Sequence, residues 1–246
     1  MSGSGDTRRF RKAEDMNERY LIFNADDFGA SAGINRGIIE CHQKGVLTST
    51  SLMVTGRALD EAVRLSRENP KLAIGLHWDV WGEDEREFST SNIEASRDEF
   101  FRQLDAFRRA MGREPTHIDS HRHAHREPHL FDHFRKWVAP LKVPLRGAGE
   151  VRFVGGFYAQ WEWKVTELKY VSVEFLQQMI RNEVPQGFTE FSCHPGYVQA
   201  DYPSVYNSER EAEVRTLIDP RVRETIEHEQ IRLISYADYA RLRESA

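Results

Sequence analysis

The chain is expected to fold as a single-domain α/β protein on a parallel sheet, either open or closed as a barrel. Three observations carry this expectation. From Tyr20 onward, short apolar runs alternate with amphipathic stretches, the pattern of strands separated by crossover helices. The apolar runs are nearly continuous, as strands covered on both faces require. Ionisable residues then recur at the ends of those runs, and the C-terminal rim of a parallel barrel is where active sites are built. A length of 246 residues suits one such domain. No repeat, low-complexity stretch or linker divides it.

Seven segments read as strands: YLIFNA, TSTSLMV, LAIGLH, THIDSH, VPLR, TEFSCH and IRLISY. Between them, Ile34, Ile38 and Cys41 share a helical stripe that ends at Gly45, read as a left-handed C′ residue. Phe100, Leu104, Phe107 and Met111 recur at helical spacing, as do Leu130, Phe131, Phe134, Trp137 and Val138. Phe175, Leu176, Met179 and Ile180 form a further apolar face. Asp219-Pro220 predicts an N-cap followed by proline at the first helical position, opening a last helix to about His228.

Residues 1–19 have no apolar core of a signal peptide and read as a flexible leader; 20–246 form the folded domain. No apolar stretch approaches the ~20 residues that span a bilayer. Composition is ordinary, with 39% hydrophobic and 30% charged residues and a net charge of −5. That balance gives no electrostatic footprint for nucleic acid, and the basic run from Arg8 to Lys12 reads as part of the tail. Cys41 and Cys193 read as two reduced thiols of a cytoplasmic protein.

The chemistry concentrates in THIDSHRHAH, Thr116 to His125, which holds four of the ten histidines. Histidine is the commonest metal ligand and a proton carrier near neutral pH. If the first half of the run is a strand, its period of two turns His117, Asp119 and His121 to one face, and leaves His123 and His125 in the loop beyond. Asn24-Ala25-Asp26-Asp27 closes the first strand, His77 closes LAIGLH, and His194 closes TEFSCH. Paired carboxylates can divide labour, one binding a cation and the other taking protons, or simply cap the next helix. Asp27, His77 and His121 together make a three-ligand site with positions open for water and substrate, the form of a catalytic metal centre. His117 lies deeper and reads as structural, while Asp119 reads as the group that orients a histidine. His123 and His125 remain open between ligation, support of the ligands and substrate contact. His194 reads either as a general acid for a leaving group or as a buried histidine bonding a loop carbonyl. Trp78, Trp81, Phe157, Tyr158, Trp161 and Trp163 crowd the same strand ends. They suit stacking on sugars, with Trp78 a candidate substrate contact, and equally suit a homodimer interface.

NADDFG, GLH, THIDSHRHAH and CHPGY, in that order from about Leu21 to Tyr239, resemble the YdjC-like (ChbG-type) carbohydrate deacetylases. The resemblance implies a distorted TIM-like (β/α) barrel that removes acetyl groups from N-acetylated sugars with one divalent metal ion, magnesium or zinc. It implies metal ligands Asp27, His77 and His121, a general base Asp26 and a general acid His194. Beyond GLH the chain departs from the family, reading WDVWGEDEREFST where many members carry a leucine-rich segment. Two rival readings are a metal-dependent phosphoesterase and a non-catalytic sugar-binding protein. Against the first, the mouth offers few cations beyond Arg122, Arg126 and Arg146; against the second, pure binding needs no acid/base pair.

Overall fold

The computed structural model describes residues 18–82, 88–198, 202 and 204–244. The expected leader up to residue 17, and residues 83–87 of the acidic segment after GLH, lie outside them.

One seven-stranded parallel sheet organises the chain. Its centre is β1 (Arg19–Phe28), which pairs β6 (Gly187–Cys193), which in turn pairs β5 (Val151–Val154). The other edge of β1 is shared: β7 (Ile231–Leu233) runs beside Arg19 to Leu21, and β2 (Ser49–Leu52) beside Asn24 to Phe28. Beyond β2 follow β3 (Ala73–Trp78) and β4 (Ile118–Ser120). The sheet curls into a partial barrel between edge strands β4 and β5. Its curvature lets one side chain, Arg146, touch carboxylates on β1, β4 and β6 at once.

Helices pack around the sheet, the last of them against its inward cluster. They are α1 (Ala32–Lys44), α2 (Leu59–Glu68), α3 (Ile93–Met111), α4 (Phe131–Val138), α5 (Val173–Glu183), α6 (Ser208–Leu217), α7 (Pro220–His228) and α8 (Tyr236–Glu244). Side chains cap four of their starts: Ser31, Asn92, Ser172 and Asp219 accept from backbone N–H groups in the first turn. Leu21, Phe23 and Ala25 of β1 pack outward into the helices with Ile38, Phe107, Phe134 and Leu176. The alternate residues Tyr20 and Ile22 pack inward with Val151, Ile234 and Tyr236. Cys41 and Cys193 are buried free thiols.

Four expectations need correction. VPLR forms no strand: Leu145 alone bridges Ile118, since Pro144 has no N–H to give a ladder. The strand lies instead at Val151–Val154, a short edge element with one exposed position. Gly45 is not left-handed (φ −117°); a Cβ there would sit 2.2 Å from the Leu217 carbonyl oxygen, so glycine serves close approach. The helix from Pro220 to His228 is not the last, because α8 follows. Helices α2 and α6 were not anticipated, and α6 buries Glu209, Arg210 and Glu213, which erases any apolar stripe.

His117 is a packing residue. It is buried and stacks on Tyr236 with ring centroids 3.9 Å apart, and burial pushes its pKa down to about 3. A Cβ at Gly75 would stand 2.5 Å from its ring, so glycine on β3 makes the space this imidazole fills.

Candidate metal centre and active site

Two adjacent residues of a regular strand point to opposite faces, yet Asp26 and Asp27 both reach into the concave side. A β-bulge is the reason. Ala25 pairs Thr50 and Phe28 pairs Leu52, so two residues of β1 oppose the single residue Ser51. Asp27 adopts the left-handed conformation (φ 70°) that this requires of a non-glycine residue.

Asp27, His77 and His121 are buried, and each offers a ligand atom within 4.8 Å of the other two. Asp27 Oδ1 lies 3.3 Å from His77 Nε2 and 3.0 Å from His121 Nδ1. The opposite nitrogen of each ring is held. His77 Nδ1 donates to Asp119 Oδ1 at 2.7 Å, and His121 Nε2 donates to the Gly82 carbonyl at 3.1 Å. With those contacts made, the remaining nitrogen of each imidazole faces the same anionic oxygen, and His77 Nε2 is buried without a hydrogen bond. Asp27 and Asp119 favour a proton on His77, and a divalent metal displacing it would find two ring nitrogens and a carboxylate oxygen converging, so the donor set fits such an ion. Burial would raise the Asp27 carboxyl, but Arg210, bonded to Oδ2 at 2.7 Å, and both histidines hold it well below the usual range. Burial would lower His77, yet Asp119, Asp27 and Asp26 around it raise it well above an ordinary imidazole. A second overlapping set, Asp26, His77 and Asp119, shares His77.

Asp26 is gripped by Arg146 through both oxygens, each at 2.7 Å, and accepts from Asn24 Nδ2 at 3.1 Å. Burial opposes ionisation, but the guanidinium outweighs it and holds the carboxyl below its ordinary value. His194, at the end of β6, places Nε2 3.8 Å from Asp26 Oδ2 and is 22% exposed, the most open of the site side chains. Burial lowers its pKa, with Asp26 and Asp27 opposing that shift. Its backbone N–H donates to Glu213 Oε2 at 2.5 Å, which fixes the turn that carries the ring.

The rest of the tract separates. After β4 the chain makes a 3₁₀ turn, His121 to Arg126, with Arg122 and His123 in left-handed conformations (φ 49° and 54°). His123 packs edge-on to Phe153 at 5.3 Å, and burial drives its pKa to about 3. His125 is committed at both ring nitrogens: Ser120 Oγ donates to Nδ1 at 2.5 Å and Nε2 donates to the Arg146 carbonyl at 3.0 Å. It therefore positions Arg146 and has no lone pair for a metal. Trp78 is also corrected, being fully buried against Phe134 and closed to substrate. Trp81 and Phe157 are buried too, whereas Trp161 and Trp163 are exposed.

Arg146 is one of the three cations the sequence offers near the mouth. The structure buries it among Asp26, Asp119 and Glu190, with Tyr236 donating to Glu190 at 2.7 Å. Arg210 and Glu213, both on α6, carry no motif that could have announced them.

A family model described as YdjC-like protein matches residues 20–228. A carbohydrate deacetylase 2 of Listeria innocua is 32% identical, over 89% of this chain and 98% of its own. The crystal structure of a protein from Enterococcus faecalis V583, provisionally described as a cellobiose-phosphate cleavage protein, superposes with TM-score 0.73 at 26% identity, covering 90% of this chain and 99% of that one. The polysaccharide deacetylase Bc1974 of Bacillus cereus shares the fold, at TM-score 0.55 and 12% identity, over 89% of this chain and 92% of its own. Among the described residues no helix is long and apolar enough to cross a membrane. With a family model spanning most of its length and all four ordered motifs inside the match, the chain belongs to the YdjC-like family.

Proposed function

We propose that the protein is a metal-dependent carbohydrate deacetylase, hydrolysing the acetamide of an N-acetylated sugar to acetate and an amino sugar. The observation that carries this reading is the bulge that delivers two carboxylates side by side. Asp27 faces His77 and His121, while Asp26 faces His194. A ligand set thus stands next to an acid/base pair, and the relatives are named carbohydrate deacetylases.

Asp27, His77 and His121 would hold a divalent ion, magnesium or zinc, which supplies Lewis acidity toward the carbonyl and lowers the pKa of a water. Asp26 accepts the proton of the attacking water. Arg146 keeps it ionised and aimed; Oδ1 is also bonded by Asn24, and Oδ2 retains a lone pair beyond its arginine bond. His194 carries a proton to the departing nitrogen. Asp119 fixes the His77 tautomer.

The phosphoesterase reading loses one of its three candidate cations. Arg146 is spent on three carboxylates, and Arg210 is paired with Asp27. The deciding experiment incubates metal-loaded protein with N-acetylglucosamine, chitobiose and related conjugates and measures acetate and phosphate. Acetate release that depends on added metal is the expected outcome; phosphate release, or no acetate from any substrate, overturns the reading.

A further inference from the structure

His194 is held in an unusual way for a group that must deliver a proton. A working imidazole is ordinarily aimed by a hydrogen bond to its second ring nitrogen. Here that nitrogen, Nδ1, is buried and has no hydrogen-bond partner among the described residues. Tyr158 and Tyr206 flank the ring edge-on, with centroids 5.6 and 5.7 Å away, which confines it without pointing it. The aim must therefore come from the backbone of His194.

Helix α6 supplies it. Arg210 and Glu213 stand three residues apart on one face and take His194 from both flanks. Glu213 Oε2 accepts its N–H at 2.5 Å, and Arg210 Nη1 donates to its carbonyl at 3.3 Å. The turn that follows docks on the same helix, with Gly196 N–H donating to the Arg210 carbonyl at 3.3 Å. A Cβ at Gly196 would stand 3.0 Å from Ile34 Cγ1 and 3.3 Å from Arg210 Cδ, so the glycine of CHPGY makes room for the arginine stem.

The same guanidinium reaches the opposite corner of the site. Arg210 Nη2 donates to Asp27 Oδ2 at 2.7 Å, leaving Oδ1 as the oxygen that faces His77 and His121. The arginine is buried, and its planar fork holds two partners in fixed directions at once, which a lysine ammonium cannot reproduce. An ion pair serving the fold alone would need only the carboxylate; this one spans from a candidate metal ligand to the proton donor.

We propose that Arg210 is a positioning residue that ties the metal-binding corner to the proton donor. It presents one oxygen of Asp27 to the ion and, through the His194 carbonyl, keeps the imidazole beside Asp26. One side chain thus sets the spacing between the two halves of the reaction. The inference rests on the deacetylase reading for what His194 does, and it concerns how the two corners stay in register.

The test is a double-mutant cycle in zinc-loaded protein, with acetate release from chitobiose measured in wild type, Arg210→Lys, His194→Ala and the double variant. Arg210→Lys keeps the charge beside Asp27, so zinc should stay stoichiometric while kcat falls about 10- to 100-fold with little change in KM. In the His194→Ala background the same substitution should cost less than about twofold, because no ring remains to be aimed. Equal losses in the two backgrounds overturn the proposal, as does wild-type kcat in Arg210→Lys. Loss of zinc from Arg210→Lys confines the residue to Asp27 and overturns it too. Should that variant not fold, Arg210→Gln, whose amide still donates, enters the same cycle. If wild type releases no acetate, the deacetylase reading fails by itself. Arg210 is then judged by NMR titration of the His194 ring in the zinc form. A midpoint moved toward the ordinary 6.5 in the variant supports the proposal, and an unchanged midpoint overturns it.

Discussion

Arg146 meets Asp26 fork to fork, two nitrogens on two oxygens at 2.7 Å each. The same guanidinium bonds Glu190 and lies 2.8 Å from Asp119, so one buried cation offsets three buried carboxylates from three strands. Removing it leaves those charges without a partner. Arg146→Met should cost about 3–5 kcal/mol, read in thermal denaturation as a fall in Tm of roughly 10 °C. Arg146→Lys keeps the charge but not the fork and should fall between the two. A wild-type Tm in Arg146→Met would show the network to be dispensable.

Asp26 and Asp27 should separate in mutants. Asp26→Asn keeps the shape of the side chain but cannot take a proton, so kcat should drop by about 10²- to 10⁴-fold while bound metal per chain stays at the wild-type level. Metal content after gel filtration, set beside acetate release, checks both halves. Loss of metal in this variant would reverse the division of roles between the two aspartates.

His77→Ala and His121→Ala should emerge from purification without stoichiometric metal. Asp119→Asn acts one bond further out by loosening the His77 tautomer, and should weaken metal affinity about 10- to 100-fold. Calorimetric titration with zinc distinguishes the two kinds of loss. Full metal occupancy and activity in His121→Ala would remove that residue from the ligand set.

Glu213 gives a pH signature away from the metal ligands. Burial pushes its carboxyl up to about 8, against an ordinary value of 4.5, because its bonds from Tyr206 and the His194 N–H do not offset desolvation. Between those two values the folded protein holds a proton that the unfolded chain releases. Its contribution to stability is therefore full below about pH 4.5, declines as pH rises and is gone above about pH 8. Glu213→Gln, which cannot ionise, should flatten the fall in Tm across that window. Identical slopes for variant and wild type would mean that Glu213 titrates normally.

Much of this was legible because strand ends announce themselves. His77, Asp119 and His194 each follow an apolar run, and the parallel architecture brings such ends to one rim whatever their separation in sequence. The tract after β4 was harder to read. Its spacing left His123 and His125 open between ligation, support and substrate contact, and two left-handed residues that no pattern announces send His123 against Phe153 and His125 back to Arg146. Arg210 and Glu213 were invisible for a different reason. They sit on a helix whose buried face is polar, and a buried charge has no sequence signature until its partner is known. Trp78 shows the converse: its neighbour His77 serves the site, and the alternation of β3 turns the indole away from it into the core.

The bulge in β1 makes the division of labour a matter of chain length. Between Ala25 and Phe28 there is one residue more than β2 can match. Deleting either aspartate would restore an even count, and the survivor would occupy the lone inward slot opposite Ser51. Such a deletion would leave the hydrophobic alternation of the strand intact on both sides. The protein would keep its barrel and have one acid where two are needed, able to grip an ion or to move a proton. A change from enzyme to inert scaffold lies a single codon away, and its cost is electrostatic, since Arg146 or Arg210 would lose its buried carboxylate partner.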